Sequence, residues 1–394
     1  MTVSASRRRP PLWLASAAVA AGWAAVYSLG RWILLFFLGP THEDMRFTYV
    51  AAKAGLQYGW STIYDPVILH RLSTGFPATE QYIRGSYTYI NPPLLAWLYS
   101  PLTLFSEPVA YALWTLVSLA ALVWAWRMAA PYAGLARVTL LLIAIGLWPL
   151  LFGLYLGQPD LVVIGLVAAA WWLCAHDRPI ETGIALALAT FLKPQLVALL
   201  PLALLVSGRL RHFWAWALAC VVLGLATVIS LGEPGLLSWW HALGGVQSDP
   251  AQTAETLVHV FGLGPLTVAL WIVQGAAALV VAYRRREHEI VFAAGILGSA
   301  AVGFHFHYWD YTILVLASWL VLRTSPSMAH RIWLAVGIIP MQVITYQASH
   351  ADLLLVAPQL AWDALWLAIL VAGTFGGRRA SVAGVRVVAR TGGT

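Results

Sequence analysis

The sequence predicts an all-α polytopic membrane protein, and three observations carry that expectation. Sixty per cent of the 394 residues are hydrophobic and only ten per cent are charged, whereas about a quarter of a soluble domain is charged. Apolar runs of roughly 17–25 residues, the length that crosses a bilayer as a helix, recur from end to end. The arginines gather at the ends of those runs, as the positive-inside bias requires. The net charge of +7 therefore reads as topology, and nucleic acid is not an expected partner. Both cysteines, Cys174 and Cys220, lie inside apolar runs, which leaves neither a disulfide framework nor a CxxC metal site.

Counting runs of that length gives about twelve spans: 12–38, 90–106, 108–128, 135–153, 158–175, 180–207, 212–231, 263–283, 289–304, 308–323, 330–348 and 352–374. The first follows Arg7, Arg8 and Arg9 like a secretory signal, but it is long and lacks a small-residue cleavage site, so it reads as an uncleaved span. The second is short and interrupted by Pro92, Pro93 and Pro101; a re-entrant segment is the alternative. With the N-terminus in the cytoplasm, the inside receives Arg7 to Arg9, Arg209, Arg211, Arg284 to Arg286, Arg323, Arg331, Arg378, Arg379, Arg386 and Arg390. The outside receives Arg46, Lys53, Arg71, Arg84, Arg127, Arg137 and Arg178. This orientation puts loops 39–89 and 232–262 and the turn His305-Phe306-His307 on the external face, and Gly157-Gln158-Pro159-Asp160 on the cytoplasmic one. Each external loop carries an amphipathic or aromatic-rich stretch, Phe47 to Tyr58 in one and Leu236 to Leu243 with Trp239 and Trp240 in the other, suited to lie at headgroup level. Residues 1–375 make a single membrane domain. Residues 376–394 form a basic cytoplasmic tail, poor in apolar side chains and expected to be disordered.

The loop 39–89 is where chemistry is expected, because it is a long polar stretch pinned between apolar spans. Glu43 and Asp44 follow the first span within a few residues, so a carboxylate sits near the membrane–water boundary; a solvated loop charge or a helix N-cap is the plain alternative. The pattern Tyr49-Val50-Ala51-Ala52-Lys53-Ala54-Gly55-Leu56 predicts a short helix with a small-residue face able to pack closely and fix the acid. Tyr64-Asp65 before Pro66 reads as a turn, and Tyr89-Ile90-Asn91-Pro92-Pro93 as the start of a helix. Lys193 falls in the middle of the sixth span beside Pro194. An ammonium there costs at least about 2.5 kcal/mol, so it serves either as a cation for a phosphate or as the partner of Asp160 or another buried acid. His305 and His307 have a metal-pair spacing without a third ligand, so metal is not expected; their rings suit a phosphate or an acceptor. Asp310, Asp352 and Asp363 read as end-of-span or interhelical polar residues. No Walker loop, dinucleotide fingerprint, HExxH or GxSxG is present, and no cofactor is expected. A membrane enzyme without a nucleotide site takes its activated substrate from the lipid.

Asp44 after the first span, Tyr49-x-x-Ala52, Gly59-x-x-x-x-Tyr64-Asp65, Tyr89-x-x-Pro92-Pro93-Leu94, Gly157-Gln158 and Leu192-Lys193-Pro194, in that order, resemble the polyprenyl-phosphate-mannose-dependent α-mannosyltransferases, glycosyltransferase family 87 of the GT-C superfamily. The resemblance covers roughly the first half of the chain. It implies a multi-span GT-C fold with external loops, a catalytic aspartate in the first loop and a polyprenyl-phosphate sugar donor. Asp44, alone or sharing the role with Glu43, would be the general base of an inverting transfer. Arg46, His305, His307 and Lys193 would stabilise the departing phosphate, and Tyr49, Tyr64, Tyr89 and Gln158 would line the substrate site. Asp160 departs from the asparagine that the family often has there. The implied function is transfer of a hexose, mannose first, to a lipid-linked or cell-envelope glycan at the external face of a bacterial inner membrane. Transfer of arabinose or glucose and a non-catalytic lipid or glycan transporter are the alternatives. Against transport stand the lack of an inverted repeat and the concentration of polar residues in one loop.

Overall fold

The computed structural model describes residues 10–38, 43–76, 89–247, 253–346 and 352–388; Arg7 to Arg9, Arg84 and Arg390 lie outside them. Among the described residues the chain is helical, with short 3-10 pieces and no β-strand. Helix α1 spans Leu12–Leu38. It is followed by α2, Glu43–Tyr58, a 3-10 turn at Trp60–Thr62, and α3, Pro66–Leu72, whose first turn is capped by the Asp65 carboxylate accepting from the backbone N–H of Val67 and Ile68. The second stretch of the sequence forms only α4, Pro93–Tyr99, and a 3-10 turn over Ser100–Leu104. At 1.5 Å per residue a seven-residue helix rises about 10 Å, too little to cross a bilayer, and the re-entrant alternative describes it better than the span.

The bundle proper begins with α5, Glu107–Ala129. Helices α6, Gly134–Gly146, and α7, Trp148–Leu156, bend by 59° at Leu147, and α7 ends on Gly157 in the left-handed region (φ 82). Next come α8, Asp160–Ala175, and α9, Pro179–Leu192. The backbone leaves helical geometry at Lys193 (φ −156, ψ 83), and Pro194, which lacks an N–H for the ladder, opens a 3-10 turn that leads to α10, Leu200–Val206. Helix α11, Leu210–Gln247, kinks at Gly232 (φ 59) just before Pro234. After α12, Leu257–Phe261, the chain continues through α13, Pro265–Arg285, α14, His288–Ala301, α15, Ile313–Arg323, α16, Met328–Val336, α17, Ile338–Val343, and α18, Leu353–Val388. The last helix continues past Phe375 where a disordered tail is expected, and no proline follows to stop it.

Among the described residues five helices (α1, α5, α11, α13 and α18) are long and apolar enough to cross a membrane, and the bent α6–α7 pair makes a sixth if it is one span. The other expected spans correspond to shorter apolar helices, among them α8, α9 and α14. Helix α8 starts at buried Asp160 and α9 stops before buried Lys193, so at that end side chains replace water as partners.

The path of the chain changes the expected orientation in one place. Because 90–104 does not cross, residues 157–160 lie at the same end of the bundle as Asp44; 180–207 then runs to Lys193 and turns back, which restores the expected alternation after it. The contact of Gln158 with Asp44 (2.7 Å) shows it directly, correcting the expectation that this turn and Asp44 lie at opposite ends. The same shift moves Arg127, Arg137 and Arg178 to the opposite end. Glu107, at the start of α5, binds Arg46, whereas Arg127 sits in its last turn; Arg178 precedes α9, whose far end carries Lys193. The arginines thus separate by end more cleanly than the span count predicts.

Helix α2 owes its position to the face read from the sequence. Val50, Ala51, Ala52 and Ala54 are fully buried, and side chains that small let α2 approach α4, α5 and α7 closely. The upper half of α11 closes over the same region: the Trp239 indole donates to the carbonyl of Ile90 (2.9 Å) and its ring stacks on Tyr64 at 5.6 Å. A side chain at Gly235 would meet the backbone of Ser61 at 2.9 Å.

Candidate active site

Asp44 is the second residue of α2, at the helix end whose free N–H groups favour a negative charge. It keeps partial exposure, and its Oδ2 accepts a hydrogen bond from Gln158 Nε2 (2.7 Å). The same amide accepts, through Oε1, from Lys193 Nζ (2.9 Å). Lys193 also donates to Asp160 Oδ1 (2.8 Å) and pairs with Asp310 Oδ1. The other Asp310 oxygen accepts from the backbone N–H of His307 (2.9 Å), and His307 Nδ1 lies 3.4 Å from Glu255 Oε2. One continuous polar chain therefore joins the first loop, the turn before α8, the break after α9, the turn before α15 and the segment before α12.

Local chain geometry explains why these parts meet. Gly157 takes the left-handed conformation, and a Cβ on it would stand 2.4 Å from the Cβ of Met45, so only glycine lets the turn lie against α2. Its carbonyl accepts from the Trp114 indole (3.0 Å) and from the Tyr99 hydroxyl (3.4 Å). Pro194 frees the backbone so that Lys193, 4% exposed, is held by two carboxylates and an amide. The wall beside the histidines is aromatic: His307 stacks on Trp309 (4.5 Å), Trp309 packs on Phe152 (5.9 Å), and His305 meets His307 edge-on at 4.8 Å.

Burial is the main influence on Asp44 and raises its carboxyl above the ordinary 3.8; the Gln158 hydrogen bond and the charges of Lys193 and His307 pull the other way without cancelling it. Burial alone would lower the His307 imidazole, but its bond to Glu255 and the charges of Glu255 and Asp310 outweigh that, leaving it above 6.5. The two shifts suit a carboxylate that accepts a proton and an imidazolium that faces an anion.

The other sequence-predicted residues divide. Glu43 opens α2, and its side chain lies outside the described residues. Arg46 is engaged elsewhere, pairing with Glu107 (3.2 Å) and lying over the Phe76 ring. Lys193 is likewise neutralised by Asp160 and Asp310, which favours its reading as the partner of buried acids over a free cation. Tyr49 donates to the Phe105 carbonyl (2.7 Å), Tyr64 to that of Asn91 (2.7 Å) and Tyr89 to that of Pro92 (3.2 Å). The hydroxyls of Tyr49 and Tyr64 thus tie the first loop to the residues before α5 and α4, while that of Tyr89 makes a local turn bond. Asp310 takes the interhelical alternative, fully buried where it pairs with Lys193 at the centre of the polar chain. Glu255 is absent from the sequence-predicted set; its only signal is an acid in the second loop, expected on the same face as the histidines. Asp363 does pair along its own helix, with Gln359 (3.0 Å). Among the described residues no three His, Cys, Asp or Glu side chains are grouped as metal ligands.

No curated protein and no solved structure matches the chain. The sequence profile described as glycosyltransferase family 87 matches residues 89–306, more than half of the 394. That segment contains Gln158, Asp160, Lys193, Glu255 and His305 and stops one residue before His307. A bundle of membrane-length helices, with a partly exposed carboxylate and a histidine turn brought to one end of it, is the setting a membrane glycosyl transfer needs, and by that profile the chain belongs to glycosyltransferase family 87.

Proposed function

We propose that this membrane glycosyltransferase moves a hexose, mannose in the first instance, from a polyprenyl-phosphate donor to a glycolipid or glycan acceptor, with inversion at the anomeric carbon. The observation that carries the reading is the position of Asp44: a carboxylate of raised basicity, held by Gln158 and close enough to His307 to feel its charge. As the acceptor oxygen attacks the anomeric carbon, Asp44 takes the hydroxyl proton. The bond from that carbon to the phosphate oxygen breaks, and the electron pair leaves with the polyprenyl phosphate. The His307 imidazolium, with His305 beside it, faces the departing charge. Arg46 and Lys193 act at one remove, because their charges are already matched by Glu107, Asp160 and Asp310. They position α2 and Gln158 and do not bind the phosphate. Tyr49, Tyr64 and Tyr89 shape the loop that surrounds the sugar.

We also place this site on the external face of a bacterial inner membrane. Supporting that orientation, Arg127, Arg137, Arg178, Arg209, Arg211, Arg286 and Arg323 lie at the end away from Asp44, where the positive-inside bias puts the cytoplasm. The deciding experiment incubates membranes containing the wild-type or the Asp44→Asn protein with radiolabelled polyprenyl-phosphate mannose and identifies the product. Label reaching a glycan with the wild type alone supports the proposal; equal transfer by both proteins defeats the assigned base. Competition with the glucose and arabinose donors then separates the sugars.

A further inference from the structure

At the end of the bundle away from Asp44 a second polar cavity of about 430 Å³ lies between the end of α8, the start of α11 and the α13–α14 turn. Its size falls within the range of small-ligand pockets. Arg209, Arg211 and Arg286 line it with His212 and His288, and Asp177 is its one acid. Asp177 offsets little of that charge. It is 73% exposed and stands 3.5 Å from an equally exposed Arg211, and water screens such a pair. The acids near the rim are engaged elsewhere, Glu287 with Arg285 and Glu289 with Arg323.

Two further observations point to a ligand, the second of them to an anionic one. His212 is 94% buried by its 6% exposure, yet its Nε2 has no hydrogen-bond partner. The nearest acid oxygen, on Asp177, is 3.9 Å away, beyond hydrogen-bonding range. A buried ring nitrogen left in that state carries a desolvation cost that a ligand atom would remove. The first residues of α11 and the first residue of α14 also line the cavity, so both helix N-termini add partial positive charge. The chain is shaped to form the pocket, turning through left-handed residues at Asp177 (φ 49), Gly208 (φ 86) and Arg286 (φ 54). The Arg209 side chain ties two of those turns by donating to the Arg286 carbonyl (2.6 Å).

We propose that this pocket binds a phosphate group, presented either by an anionic lipid headgroup at that membrane surface or by a soluble phosphate compound. The inference stands apart from the transfer reaction and from the choice of donor. The full-length protein is tested in two settings: in detergent with inorganic phosphate added, and in nanodiscs of phosphatidylglycerol compared with nanodiscs of phosphatidylcholine. Its melting midpoint is followed by tryptophan fluorescence. A rise with inorganic phosphate identifies a site open to soluble phosphate, and a rise in phosphatidylglycerol alone identifies the lipid; either upholds the proposal. In Arg211→Gln/Arg286→Gln the apparent dissociation constant for the effective ligand rises about tenfold or more, while Arg127→Gln, at the same end outside the pocket, matches the wild type. The two single variants are read by the same criterion if the double variant lacks a cooperative melt. No rise with either ligand, or an undiminished rise in the pocket variants, overturns it.

Discussion

The two ends of this molecule handle charge in opposite ways. At the Asp44 end Lys193, Asp160 and Asp310 sit at 5% exposure or less, joined through a single amide to a base that reaches water. At the other end the pairs Arg178–Glu181, Arg211–Asp177 and Arg285–Glu287 are substantially exposed and fix little geometry. A buried ion network is expensive to assemble, and breaking it by removing one partner costs far more than breaking a surface pair. The difference teaches that the first end holds its polar groups in fixed positions, whereas the charge at the second is screened by water and fixes little.

The largest expected effect comes from the base itself. Asp44→Asn should reduce turnover by about 10²- to 10⁴-fold, the usual contribution of a positioned general base, with the melting midpoint of the purified protein unchanged. Comparable activity in this variant would break the contrast at its strongest point. Lys193→Met should instead act on folding, since it leaves Asp160 and Asp310 buried without their cation. A loss of about 3–5 kcal/mol is expected, seen as a lower melting midpoint, and Asp160→Asn in the same chain should restore part of it.

A smaller effect is expected from Gly157→Ala, which adds a Cβ 2.4 Å from that of Met45 and strains a left-handed backbone by about 1–3 kcal/mol. Turnover should fall with α2 displaced, while donor KM changes less. The pH dependence sharpens the assignment further. On the proposed roles of Asp44 and His307, transfer requires Asp44 ionised, so activity should be lost as pH falls through a value above 3.8. It also requires His307 protonated, so activity is lost as pH rises through a value above 6.5. The profile of kcat/KM should be a bell, and His307→Gln should remove its alkaline limb and raise donor KM. The smallest effect belongs to the other end: Arg178→Gln opens an exposed pair and should leave both turnover and melting unchanged.

Much of this arrangement was legible in the amino acids. Helical spans, the packing face of α2, the acid at the start of the first loop and the interruption at Lys193-Pro194 all follow from periodicity, small side chains and the cost of a charge in apolar surroundings. What failed was counting. Pro92, Pro93 and Pro101 made 90–106 ambiguous, and treating 180–207 as one crossing hid the return at Lys193. Each miscounted crossing inverts the side of whatever follows, so a count of apolar runs puts Gln158 away from the carboxylate it binds. The two errors cancel beyond Lys193, which is why the histidine turn was placed at the correct end. Glu255 and the roles of Tyr99 and Trp114 were not legible, because they depend on which loops face one another, and no local pattern encodes that.

Gln158 spans the gap between the carboxylate of Asp44 and the ammonium of Lys193, and an amide neither ionises nor hands a hydrogen ion onward at ordinary pH. It therefore works as an insulator: it relays placement between the interior salt cluster and the base while blocking exchange between them. On the proposed role of Asp44, a proton taken from an acceptor has no conducting route inward along that contact.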